Sequence, residues 1–402
     1  MADPVKKAVN NLGYFGSDKL FEKPRSIGSL YKPNFDTFIE YSSVFFNAKR
    51  YTNNGFLVRE LEKRLADFHR TTYCITFSSA FWGLALAIKY LALPGKSEVI
   101  MPSLTYRRMG DIAALAGYIP RYCDVEIETL AQSRNTTEQC INNETALIIG
   151  AHPTINCCDV DGLERLSYEH SIPLIFDSVE SVYETYKGKK VGSFGEMEAF
   201  SIHSTKLING FEGGYITTNN EDLYNHLKYA RAFGFKAEDE VATFGFNAKL
   251  NEIHAAMALT SLDGLQDLVE ANRQRYIAYK RELSSIKGLK IVEFDESEQT
   301  SFKNILIEIT DSWPLTRSRT ISILHAENLL ARPYYFPALH TKPAGFEYRY
   351  SNLPNSERLS EKYILFPCGH QVTPDDVVGI CGLLKFIEDN SSEIERQLDD
   401  IE

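Results

Sequence analysis

Lys206 stands in the stretch SIHSTKLINGFEGGYITT (residues 201–218), between an apolar segment that reads as a strand end and a glycine-rich turn. An amine held in such a setting is a candidate nucleophile, whereas a lysine on a solvated face would need none of it. Earlier in the chain, IPLIFDSVES places Asp177 directly after another apolar segment. That carboxylate can be read as a turn or helix-capping group, or as the acceptor for a protonated ring nitrogen. A Schiff-base lysine together with a carboxylate facing a pyridinium nitrogen is the pair that pyridoxal phosphate requires of its proteins.

The rest of such a cofactor makes further demands. Its phosphate needs backbone N–H groups and hydroxyls, which Ser78, Ser79 and Ala80 can supply where a helix starts after YCITF, with Ser201 offering another hydroxyl. Its ring needs an apolar or aromatic face, and Tyr106 in MPSLTYRR is placed to give one, although a tyrosine there can equally serve packing. Other cofactors fit less well. No G-x-G-x-x-G joins an early strand to its helix, and no G-x-x-x-x-G-K-[ST] occurs. His152, Cys157 and Cys158 in HPTINCC lack further ligands at suitable spacing, so no metal is expected.

Positioning these groups requires a scaffold. Val58, Leu61, Leu65 and Phe68 fall on one helical stripe, and YCITF then reads as a buried strand. Phe81, Leu84, Ile88 and Leu91 recur at helical spacing, followed by EVIMPS, a helix through MGDIAALAG, IPRYCDV, ALIIGAH, a helix through DGLERLSYEH, and IPLIFDS. MEAFSIHS and GGYITT add strands on either side of Lys206. Short apolar strands alternating with helices predict an α/β fold with a mainly parallel central sheet covered by helices. A long helical region from about Lys249 leads to a smaller α+β part built from LKIVEF, FKNILIEI, a helix in TRSRTISILHAENLL and a closing helix in PDDVVGICGLLKFIE. The expected division is residues 1–265, an N-terminal arm plus the large cofactor-binding domain, and residues 266–402, the connecting helix and small domain.

With 402 residues, two packed regions are expected. A net charge of −11 argues against broad attraction to nucleic acid or anionic membrane. No apolar run approaches a membrane span, and MADPVKKAVNNLGYFG lacks the apolar core of a signal peptide, so a cytoplasmic location is expected. The seven scattered cysteines, mostly in apolar surroundings, read as reduced thiols.

The succession SSAFWGL, EVIMPSLTY, CDV, IPLIFDSVES, FSIHSTKLINGFEGGYITT, FGFNAKLNEIHAAM and RPYYFPALH resembles the DegT/StrS-type aminotransferases of nucleotide-sugar and antibiotic-sugar biosynthesis along nearly the whole chain. The resemblance implies a fold-type I pyridoxal phosphate enzyme, active as a homodimer with sites shared between subunits. It gives Lys206 the covalent link to the cofactor, Asp177 the pyridine nitrogen, and Glu180 a place near the ring oxygen. Tyr106 matches the stacking aromatic and Ser201 a phosphate-binding serine. Asn247 matches an asparagine that reaches the neighbouring subunit's phosphate, and His340 falls in a region bordering the substrate. Two departures stand out. The phosphate turn runs Ser79, Ala80, Phe81 where relatives carry a small residue and then threonine. Arg107 and Arg108 follow Tyr106 where relatives are small or apolar, either as a solvated basic turn or as anion-binding groups.

The implied reaction moves an amino group from an amino acid, with glutamate the expected donor, to a keto group of a nucleotide-linked sugar. A cyclitol or other natural-product ketone is the alternative acceptor, and a non-catalytic binding protein is a further one. A dehydratase relative would carry histidine where this chain has Lys206.

Overall fold

The computed structural model describes residues 6–401; residues 1–5, which begin the stretch read for a signal peptide, and residue 402 lie outside the described residues. Seven strands form the main sheet in chain order: β1 (Tyr73–Phe77), β2 (Glu98–Pro102), β3 (Ile119–Cys123), β4 (Thr145–Ala151), β5 (Leu174–Asp177), β6 (Glu198–Ser201) and β7 (Gly214–Thr218). Their spatial order is 3-2-4-5-6-7-1. The strands from β3 across to β6 pair in parallel, while β7 runs antiparallel to both β6 and β1. A short strand, Arg349–Tyr350, adds to the β3 edge from far along the chain, a contribution that its sequence does not announce.

Burial explains the uninterrupted apolar strands. Every residue of β2, β4 and β5 is buried, because helices cover both faces and leave no position for a solvated side chain. Helices α1 (Phe35–Ala48) and α2 (Phe56–His69) precede the sheet, and α3 (Ala80–Leu91) follows β1. The stripe of Val58, Leu61 and Leu65 on α2 is buried as its spacing predicts, and so are Leu84 and Ile88 on α3.

The long helical region divides into α4 (Glu252–Asp263) and α5 (Leu265–Leu283). The break falls at Gly264, where a Cβ would stand 2.1 Å from the Tyr31 hydroxyl, so a larger residue would have to push that side chain aside. Asn251 caps α4 by accepting from the His254 N–H at 3.1 Å. Asn247 lies earlier, in an isolated bridge to Ala232, and does not cap this helix.

Beyond α5, strands Leu289–Ile291, Ile305–Ile309, Tyr363–Phe366 and Arg332–Pro333 form an antiparallel sheet in that order, backed by the helix Pro374–Asp389. Val9, Leu12 and Phe21 from the N-terminal stretch pack into the same core as these elements. All seven cysteines are free thiols. No helix among the described residues is long and apolar enough to cross a membrane.

Candidate active site

The parallel strands all end on one side of the sheet, and their carboxyl ends bring the chemistry together as such sheets do. Asp177 closes β5, His152 follows β4, Ser201 closes β6, Thr105 and Tyr106 follow β2, and Ser79 follows β1. All of them line one cavity of about 410 Å³, together with Ala80, Phe81, Glu180, His203, Thr205, Lys206 and Tyr335.

At its floor, Lys206 Nζ donates to Glu180 Oε1. The other carboxylate oxygen of Glu180 accepts from Lys303 Nζ at 2.6 Å and from Asn304 Nδ2 at 3.3 Å. Burial alone would push the Glu180 carboxyl up, but the two ammonium groups outweigh it and hold the acid well below its ordinary range. For Lys206, burial disfavours the charge and Glu180 restores it, leaving the amine above its usual value. Asp177 has less support. Burial pushes its carboxyl up to about 6 and the charge of Glu180 adds to the rise, while the Val179 N–H, at 3.2 Å from Oδ1, and the charges of Lys206 and His152 oppose it. It is a buried acid short of a cationic partner.

The cavity wall beside α3 depends on glycine. Gly214 pairs across the sheet with both Phe77 and Ser201, and a Cβ on it would fall 2.2 Å from the Ala80 nitrogen. Its neighbour Gly213 has φ +138, a conformation that side chains disfavour. These two residues let the amino end of a twelve-residue helix close on the start of β7, beside its cross-strand partner Ser201. Ser79 caps that helix, its hydroxyl accepting from the Phe81 N–H at 3.3 Å. Phe81 sits half-buried against Trp82 and faces the cavity, so the third position of the odd phosphate turn is part of the wall.

Nine of the sequence-derived positions therefore fall into place around one space: Lys206, Asp177, Glu180, Tyr106, Ser79, Ala80, Ser201 and, from the departures noted, Phe81 and Arg107, the last in an adjoining lobe. Two do not. Asn247 is exposed and outside the lining. His340 is buried behind it, with Nδ1 2.7 Å from the Ser103 hydroxyl and Nε2 3.0 Å from Glu357 Oε1, and lines neither lobe. Three residues of the site are not assigned to it by the sequence, which offers His152 only as a candidate metal ligand. His152 stacks on Phe176 with ring centres 5.4 Å apart, and its Nε2 has no hydrogen-bond partner. Tyr335 borders both lobes. Lys303 belongs to a segment that reads as strand, but the strand begins only at Ile305, and the preceding turn carries the lysine to Glu180.

These residues suit a planar, cationic heterocycle bearing an anionic tail. An under-compensated carboxylate, an amine, an exposed tyrosine face and a helix start with hydroxyls are arranged around one cavity. The fold and this donor set define an α/β enzyme of the lysine-dependent transferase class. The DegT/DnrJ/EryC1/StrS aminotransferase family profile matches residues 36–385, and the chain belongs to that family. It is an aminotransferase. A dTDP-4-amino-4,6-dideoxy-D-glucose transaminase of Shigella dysenteriae is 24% identical over 91% of this chain and 100% of its own length. A GDP-perosamine synthase of Vibrio cholerae is 26% identical over 89% of this chain and 98% of its own. The crystal structure of DesI, determined in the presence of its TDP-sugar product, superposes with a TM-score of 0.91 at 27% identity, covering 98% of this chain and 100% of that one.

Proposed function

We propose that this protein is a pyridoxal phosphate-dependent transaminase that aminates a keto group of a nucleotide-linked sugar, with glutamate as amino donor. The observation that carries the reading is the convergence of Lys206, the buried acid Asp177 and the Ser79–Ala80 helix start on one cavity. The relatives named above, which act on dTDP- and GDP-linked amino sugars, support the acceptor class.

Pyridoxal phosphate supplies, when bound, an electrophilic carbon for the amine and a ring that accepts electron density. The chain's own residues do the remainder. Asp177 gives a protonated ring nitrogen its counter-charge, which in turn relieves the cost of burying that carboxylate. Ser79, Ala80 and Ser201 hold the phosphate with hydroxyls and the positive end of α3. Tyr106, 47% exposed at the cavity mouth, covers the ring face. Lys206 Nζ would hold the cofactor and, when free, would move the donor's Cα proton. Glu180, tied on its far side to Lys303, fixes the position of Nζ.

A homodimer with shared sites belongs to the same proposal. Phe35, Phe46 and Phe56 on α1 and α2 are 68, 59 and 55% exposed, an apolar surface suited to a second copy, and Asn247 is free to reach outward. We place the boundary between the two domains at residue 265.

The test is a pair of half-reactions. L-glutamate should discharge the visible absorbance of the bound cofactor, and a nucleotide-linked keto-sugar from a panel should restore it. Restoration by a keto-cyclitol alone would transfer the assignment to the other acceptor class. No response to any amino donor would mean a binding protein.

A further inference from the structure

Next to the catalytic cavity lies a second lobe of about 260 Å³, joined to it through Tyr106, Glu180, Thr205, Lys206 and Tyr335. Its outer wall is cationic. Arg107, Arg332, Lys342 and Lys303 all line it. Lys303 is committed to Glu180 at 2.6 Å. The side chains of Arg107, Arg332 and Lys342 have no hydrogen-bond or ion-pair partner among the described residues. The neighbouring arginine behaves differently: Arg108 points away and pairs with Asp111 at 2.9 Å. The two-arginine turn therefore splits into one structural residue and one that faces the lobe.

Three like charges from three separate segments repel one another, and the amine of Lys342 is lowered by burial and by the charge of Arg107. The only carboxylate in the lobe, Glu180, is already bridged by two ammonium groups. The concentration is local, since the chain as a whole carries −11. Such an arrangement is stabilised by a multiply charged anion. One carboxylate would leave most of the charge uncompensated, whereas two guanidinium forks and an ammonium match the several oxygens of a diphosphate.

We infer that Arg107, Arg332 and Lys342 form the subsite that holds the diphosphate of the amino acceptor, placing the rest of that molecule towards Lys206. This rests on the nucleotide-linked acceptor proposed above. It also assigns Arg107 as a specificity determinant, a role its sequence position left open.

Cofactor-loaded protein is titrated with inorganic pyrophosphate by calorimetry at low ionic strength, the bound cofactor keeping the other phosphate site filled. Arg107→Ala, Arg332→Ala and Lys342→Ala should each weaken binding roughly tenfold, the scale of one lost charge-assisted contact. Arg108→Ala serves as the control and should bind as the wild type does. Absence of pyrophosphate binding in the wild type, or equal binding in all four variants, overturns the subsite. So does a pattern in which the KM for L-glutamate follows these charges and pyrophosphate affinity does not, because the cations would then hold the donor. If pyrophosphate binding follows the charges but no nucleotide-linked keto-sugar is aminated, the anion subsite stands and the acceptor assignment falls. If such a sugar is aminated with an unchanged KM in all three variants, the acceptor assignment stands and the subsite falls.

Discussion

Replacing Asp177 with asparagine should stabilise the cofactor-free protein while crippling the enzyme. Burial raises the Asp177 carboxyl from an ordinary 3.8 to about 6, so the folded chain holds this proton more tightly than the unfolded chain does. The associated stability is complete below the unfolded value and is lost as pH rises through the folded one. Summed over that window, ionising Asp177 costs the native state about 3 kcal/mol at pH 8 and about half as much at pH 5. An asparagine never ionises, keeps an oxygen for the Val179 N–H, and occupies the same volume. Asp177→Asn should therefore exceed the wild type by those amounts. For a chain of this length, that is a gain of roughly 3–6 °C in unfolding midpoint at pH 8, halving at pH 5. Thermal unfolding of both proteins, stripped of cofactor and matched in concentration, measures it. Adding pyridoxal phosphate should reverse the order, because a cationic ring nitrogen gives the carboxylate its partner and stabilises the wild type by ligand binding. Most turnover should be lost in the variant. A variant less stable than the wild type at pH 8 without cofactor, or a gap that does not narrow at pH 5, would refute the account of Asp177 as an acid awaiting its counter-charge.

Other outcomes follow from the same geometry. Lys206→Ala should bind cofactor weakly and without a covalent link, and borohydride reduction of the wild type followed by peptide mapping should label Lys206; a label on any other lysine removes it from its role. Lys303→Met leaves Glu180 with one cation, which should raise the Glu180 acid and, by removing a like charge that shares the carboxylate, raise the Lys206 amine, shifting the pH profile of the L-glutamate half-reaction upward; an unchanged profile would make Lys303 a bystander. Phe81→Thr removes a half-buried ring, so the loss should be about 1 kcal/mol, below the range for a fully buried phenylalanine; chemical unfolding with and without cofactor reads both stability and affinity. Mixing Lys206→Ala subunits with Asn247→Asp subunits should restore activity towards half of wild type per heterodimer when sites are shared, since one site then carries both defects and the other neither. Confirmed heterodimers that stay inactive would confine Asn247 to its own subunit.

How far the sequence reaches depends on the range of the contacts involved. The strands β1 to β7 are legible because burial makes each an apolar run, and the strand ends then point to Asp177 and Ser201, with Lys206 in the loop beyond β6. Gly264 and the Arg349–Tyr350 strand are not legible in the same way. The first packs against a tyrosine far earlier in the chain and the second pairs with a distant edge. Lys303 is the instructive case. In FKNILIEI its neighbours have the composition of a strand, and a lysine before an apolar run would ordinarily face water. What turns it inward is the carboxylate of Glu180, more than a hundred residues away in the chain. The charge of Glu180 then has two claimants, of which the proposed mechanism makes only Lys206 a nucleophile. Because Lys303 also pairs with the carboxylate and helps keep it ionised, Lys206 can release Glu180 without leaving an uncompensated buried acid, which is what the role proposed for it, alternating between covalent link and proton carrier, requires.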